Sequence, residues 1–229
     1  MTFRLPDDTQ HLAIIGRNGS GKTQAALWHL SKRSFDLRPW IIVDFKRDVH
    51  IAAISGAEEI APGIIPDKPG IYVVRPNASN PQPLGETLSA AYERGNVGLW
   101  FDEGFMVGKD KKVEAVFEDL LTQGRSKRIP LIVLVQRPVW VSRFVFSESS
   151  FFQLFHLQDK RDVQTVSAVI PEDAIERLPE FHSLWYDVSR DERVYLAPVP
   201  GEDEILASIE SRLAEMREKE KRKSWPKFL

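Results

Sequence analysis

The sequence predicts an α/β fold, a central mostly parallel sheet flanked by helices, closed by a C-terminal β-hairpin and helix. Three observations predict it. Short, wholly apolar runs such as Leu131–Val135 alternate with segments of helical period, the pattern of parallel strands covered on both faces. One apolar run leads into a glycine-rich turn and then a helical segment. Another stops abruptly at two adjacent carboxylates.

Composition bounds the answer. With 229 residues the chain suits one large domain, and it can bury a core without disulfides or a structural metal. It contains no cysteine, which excludes a disulfide framework and a Cys-based zinc site and fits a reducing compartment. No apolar run approaches the roughly 20 residues of a membrane span. The first ten residues, with Asp7 and Asp8, do not read as a signal peptide. The expectation is a soluble protein made in the cytoplasm. A formal net charge of −2 means that any nucleic-acid contact must come from local clusters of cations.

In chain order, the expected strands are His11–Ile15, Trp40–Asp44, Ile71–Val74, Val97–Phe101, Leu131–Val135 and Phe151–Leu157. Helical periodicity marks Thr23–Lys32, Leu84–Arg94, Lys112–Gly124 and Arg161–Val169, with a further short helix after Pro171. In Lys112–Gly124 the residues Val113, Val116, Phe117, Leu120 and Leu121 share one face, and Gly124 is placed to cap it. Leu184–Val188 and Arg193–Ala197 read as a hairpin. Glu202–Lys223 reads as a long helix whose stripe of Ile205, Ile209, Leu213 and Met216 is expected to dock on its own domain. The division is a core domain over 1–200 and a C-terminal helix with a basic tail over 201–229.

The chemistry starts at Gly16-Arg17-Asn18-Gly19-Ser20-Gly21-Lys22-Thr23, a complete G-x-x-x-x-G-K-T between a strand and a helix. Glycines let backbone N–H groups turn inward as an anion nest, and the helix N-terminus adds partial positive charge. Lys22 is expected to reach the β and γ phosphates of ATP, and Thr23 to ligate Mg²⁺. Asp102, at the end of Leu99-Trp100-Phe101, fits the Walker B role, holding the Mg²⁺ shell through water or directly. Glu103 follows it directly, placed to take a proton from an attacking water. This doublet points to a P-loop NTPase of the additional-strand, RecA/FtsK-like class. Gln136, just past the strand Leu131–Val135, faces the same crevice and can bond the γ phosphate and the lytic water. Arg125, in the cationic stretch Gly124-Arg125-Ser126-Lys127-Arg128, is the first candidate for an arginine finger acting on a neighbouring subunit, with Arg128, Arg137 and Arg143 behind it.

Gly16–Thr23, Val43-Asp44-Phe45-Lys46, Phe101-Asp102-Glu103, Gly124-Arg125 and Val135-Gln136-Arg137-Pro138 follow one another in the order seen in the FtsK–HerA superfamily of DNA-pumping ATPases, which this chain resembles over about residues 10 to 160. Arg137–Arg143 and Phe155–Asp162 look like the extra motif of one subgroup, the genome-packaging ATPases of tailless icosahedral viruses with an internal membrane, the tectivirus type. Bacterial FtsK would carry membrane helices and a winged-helix DNA reader, neither of which is read in this sequence, and a HerA-type enzyme an N-terminal β-barrel, for which the P-loop is expected to start too early. The resemblance implies a sheet with the P-loop strand at its centre and a homo-oligomeric ring that moves double-stranded DNA non-specifically, working with capsid-vertex or membrane-associated viral proteins. It implies a protein of the host cytoplasm that also travels with the virion. Ring motors hold DNA by its phosphates. The segment Gly104–Lys112, with Lys109, Lys111 and Lys112 and glycines at 104 and 108, is the expected mobile DNA loop, and the tail Lys219–Lys227 is a second basic patch. The alternatives are a P-loop phosphotransferase acting on a small molecule, and an ATP-dependent scaffold or switch.

Overall fold

The computed structural model describes residues 3–77, 79–171 and 178–224. These form a nine-stranded sheet of order β3-β4-β2-β5-β6-β1-β7-β8-β9. The strands are β1 (Leu12–Ile15), β2 (Pro39–Val43), β3 (Glu58–Glu59), β4 (Gly70–Val74), β5 (Gly98–Phe101), β6 (Leu131–Val135), β7 (Phe151–Phe155), β8 (Ser183–Asp187) and β9 (Glu192–Leu196). Pairing is parallel from β3 through β7, and β8 and β9 continue the same sheet antiparallel. The expected hairpin is therefore not a separate flap but the far edge of the main sheet. β1 lies between β6 and β7, inside the sheet as expected of a P-loop strand.

Side chains alternate across the strands into two cores. Ile15, Val43, Phe101 and Val133 enter one, with Leu84 and Leu88 of α3 (Gln82–Arg94) and Phe117 and Leu120 of α5 (Lys111–Gln123). Ile14, Ile42, Trp100 and Ile132 enter the other, with Leu27 and Leu30 of α1 (Lys22–Ser31) and Ile205 and Ile209 of α8 (Glu202–Ser224). The α8 stripe thus docks on its own chain as its period predicts. Arg212 of α8 adds a hydrogen bond to Ser31 O at 2.7 Å and an ion pair with Asp36 at 2.6 Å.

Several elements differ from the expectation. The edge strand β3 is two exposed glutamates, which carry no apolar pattern to read, and charge at an open edge discourages further pairing. β7 ends at Phe155, two residues early, because the chain turns away beside a cavity. The stretch after β5 is not a free loop. It forms α4 (Gly104–Val107), three linking residues and then the first turn of α5, where Asp110 accepts from the N–H groups of Lys112 and Val113. Gly104 is a packing glycine: a Cβ there would lie 2.8 Å from Val133 Cγ1. Two short helices, α2 (Val49–Ala52) and α6 (Phe144–Ser147), and α7 (Lys160–Ser167) complete the elements used below. The short helix expected after Pro171 and the end of the basic tail lie outside the described residues.

Candidate active site

Parallel strands deliver their C-terminal ends to one edge, and the order β2-β5-β6-β1 brings four motif-bearing ends side by side. At β1 the chain enters the phosphate loop. Gly19 and Gly21 have φ of 72° and 94°, the left-handed region that glycine adopts without strain. Gly16 is required by space, since a Cβ would lie 2.7 Å from Phe155 Cβ and 2.7 Å from Ser20 Oγ. Lys22 opens α1 and donates to Arg17 O at 2.7 Å, folding across the loop it serves. Burial lowers the Lys22 ammonium to a pKa of about 8, opposed by Glu103 and Asp102.

β5 ends at Asp102, whose Oδ1 accepts from the Thr23 hydroxyl at 3.5 Å. Burial raises its pKa to about 7; Asp48, Asp44 and Glu103 add to the rise and Lys46 opposes it. A buried carboxylate crowded by other carboxylates is one that a cation would relieve. Thr23 and Asp102 are hard oxygen donors of the kind Mg²⁺ takes, and Mg²⁺ needs only one or two protein ligands beside phosphate and water. Among the described residues no group of three or more His, Cys, Asp or Glu is placed to hold a metal ion.

Glu103 is buried and makes an ion pair with Lys46, which stands past the end of β2. Asp44 sets that loop: its carboxylate accepts from Asp48 N at 3.0 Å and from Arg75 Nε at 3.2 Å. Asp48 in turn caps α2 by accepting from His50 N at 2.8 Å. Lys46, Asp48 and His50 line the same cleft of about 310 Å³ as Lys22, Thr23, Asp102 and Glu103. Sequence reasoning quoted Lys46 within a motif but gave it no role and passed over Asp48, His50 and Phe181. The signal for the first three was their position just past a buried parallel strand.

Gln136 directly follows Val135, whose carbonyl accepts from Gly16 N at 3.0 Å, so Gln136 flanks the phosphate loop. Arg137 is held within its own chain, by Asp162 at 2.7 Å and Asp159 at 2.9 Å, with its guanidinium 4.8 Å from the Trp140 ring centroid. Asp162 also accepts from Val139 N at 3.1 Å. The two halves of the extra motif, Arg137–Arg143 and Phe155–Asp162, thus clasp each other through Arg137. Arg143 packs over Phe144 at 5.3 Å, and Arg128 sits in the left-handed region at φ 57°. Arg125 is exposed at the opposite end of the sheet from its own phosphate loop, where its charge reaches Asp7 and His11. Lys109, Lys111 and Lys112 are exposed near the start of α5. Lys109 stands 5.3 Å over the Phe105 ring and Lys111 pairs with Glu114.

The strand order and the phosphate site define a P-loop ATPase of the additional-strand class, with β6 inserted between the P-loop strand and the Asp102 strand. Solved structures with this fold include the genome packaging NTPase B204 of Sulfolobus turreted icosahedral virus 2 with ATP-gammaS, at TM-score 0.67 and 21% identity, covering 85% of this chain and 100% of that one. The pCW3 conjugation coupling protein TcpA matches at TM-score 0.61 and 14% identity, over 91% of this chain and 65% of that one. VirB4 of Thermoanaerobacter pseudethanolicus matches at TM-score 0.61 and 11% identity, over 83% of this chain and 89% of that one. No family model matches the sequence. The chain is 40% identical over 221 residues to the DNA packaging ATPase P9 of Enterobacteria phage PRD1, covering 92% of this chain and 96% of that protein. It belongs to that family of viral DNA-packaging ATPases.

Proposed function

We propose that this protein hydrolyses ATP to drive double-stranded DNA into a preformed viral capsid. The observation that carries hydrolysis is Glu103, a buried carboxylate directly after Asp102 and one strand removed from the phosphate loop across β6. From there it can accept the proton of a water attacking the γ phosphate. Gln136 orients that water, and Lys22 with the loop N–H groups holds the phosphates. Mg²⁺, held by Thr23 and Asp102, would offset charge on the phosphate oxygens.

In this reading the protein works as a homo-oligomeric ring in which each site is completed by a neighbour. Arg125, exposed and remote from its own site, is the residue we assign to that contact. Lys109, Lys111 and Lys112 contact DNA phosphates without reading sequence. The partners are the capsid vertex or membrane-associated viral proteins, and the protein acts in the host cytoplasm and stays with the virion. Among the described residues no helix is long and apolar enough to cross a membrane.

The test is ATP turnover with and without a linear duplex of unrelated sequence. Turnover should rise several-fold with duplex and fall with rising salt, as phosphate contacts do. Turnover indifferent to DNA, or dependent on a small phosphate acceptor, overturns the motor reading.

A further inference from the structure

Beside the phosphate cleft lies a second cavity of about 650 Å³, lined by Arg17, Gly19 and Ser20 of the phosphate loop, by the end of β7, and by the segment leading into β8. One side chain borders both spaces. Phe181 lines the phosphate cleft and this cavity, and a Cβ on Gly21 would lie 3.3 Å from its Cδ1. It therefore stands directly on the phosphate loop at the boundary between them.

The φ of Phe181 is 59°, a left-handed backbone that bulky residues avoid. The surroundings hold it there. His182 N donates to Pro179 O at 3.1 Å, His182 Nδ1 lies 3.0 Å from Glu180 O, and buried Ser183 accepts from Gln153 Nε2 at 2.9 Å. Strain kept in place by its neighbours concentrates where a ligand is gripped.

We propose that the cavity is the nucleobase subsite and that the base of the nucleotide stacks on Phe181. The proposal rests on the reading that the loop Gly16–Thr23 holds the phosphates of ATP. With its phosphates in the cleft, the nucleotide would reach past Gly19 into this cavity, where Phe181 is the exposed aromatic ring among the described lining residues, Phe155 being buried and His156 and His182 half-buried. An aromatic face is flat and apolar and matches a base without demanding one hydrogen-bond pattern. Gln158 and Glu180, both exposed at the cavity wall, are the groups able to reach the edge of a stacked base.

Calorimetric titrations with Mg-ATP and with Mg-tripolyphosphate, which has no base, test this on the full chain. Phe181→Ala should weaken ATP by roughly ten-fold, the usual worth of one base–aromatic stack, and leave tripolyphosphate unchanged. Phe181→Trp should keep ATP affinity. Phe181→Gly should lose ATP affinity as Phe181→Ala does while melting no lower than the wild type, since glycine takes this backbone freely. Equal weakening of both ligands, or undiminished ATP affinity in Phe181→Ala, overturns the subsite. A wild-type protein that binds neither ligand refutes the phosphate-loop reading instead, and with it the subsite.

Discussion

At the scale of single residues, the site is a set of charges held near one another. Lys22 lies close enough to Asp102 and Glu103 for their charges to oppose the fall of its pKa, while Lys46 makes a direct ion pair with Glu103. The glutamate is therefore the group whose chemistry is separable from binding. Glu103→Gln keeps shape and hydrogen-bonding capacity and removes the basic oxygen. It should bind Mg-ATP normally and hydrolyse it at least about 100-fold more slowly. Single-turnover hydrolysis of labelled ATP checks this, and normal turnover would place the base elsewhere. Asp102→Asn should act differently, raising the Mg²⁺ concentration needed for half-maximal turnover.

At the scale of elements, two buried imidazoles join pieces far apart in sequence. His11, before β1, donates from Nε2 to Leu121 O of α5 at 3.0 Å and accepts from Leu131 N of β6 at 3.1 Å, so only the neutral ring serves both bonds. His29 of α1 donates to Gln153 of β7 at 2.8 Å and stacks on Trp185 of β8. Burial lowers their pKa values from 6.5 to about 4 and about 3. Between those values and 6.5 the unfolded chain takes up protons that the fold does not. The contribution of these two rings to stability should therefore be unaffected above pH 6.5 and fall as the pH drops below it, by up to about 1.4 kcal/mol per pH unit per ring, while Asp102, raised from 3.8 to about 7, pulls the other way between pH 7 and pH 4. Urea titrations of Asp102→Asn at pH 7 and pH 5 measure the imidazole contribution without the opposing carboxyl. A pH-independent midpoint over that interval would mean that the rings titrate in the fold as they do in the unfolded chain.

Helix α8 makes a second case at this scale. Ile209 is fully buried in the core shared with α1, and Ile209→Ala should cost about 2–4 kcal/mol of unfolding free energy. A loss under about 0.5 kcal/mol, within the range of an ordinary surface change, would mean that α8 is undocked in solution.

At the scale of the whole molecule, the decisive question is whether one chain completes its own site. Arg137 is absorbed by Asp159 and Asp162, while Arg125 stands exposed at the far end of the sheet. If Arg125 acts on a neighbour, Arg125→Ala should bind ATP and hydrolyse it about 10³-fold more slowly. Mixing Arg125→Ala with Glu103→Gln should restore part of the activity, because some interfaces then join an intact arginine to an intact glutamate. Absence of recovery in demonstrably mixed assemblies would remove Arg125 from the role.

What the sequence by itself determined is the chemistry carried by neighbours in the chain. The glycines that bend the phosphate loop, Lys22-Thr23 at a helix start, the carboxylates at the end of a buried strand and the apolar stripe of α8 are all contiguous or periodic, and local rules read them. The strands on which they lie were legible for the same reason. Tertiary structure alone decided which strand ends meet. It put β6 between β5 and β1, set Lys46 against Glu103, closed Arg137 onto Asp162 and laid Phe181 over Gly21, a residue 160 positions earlier. It also turned the expected loop after β5 into helix, because Gly104 packs under Val133. No local period encodes such contacts, since they arise only when the hydrophobic faces of remote segments choose one order of packing.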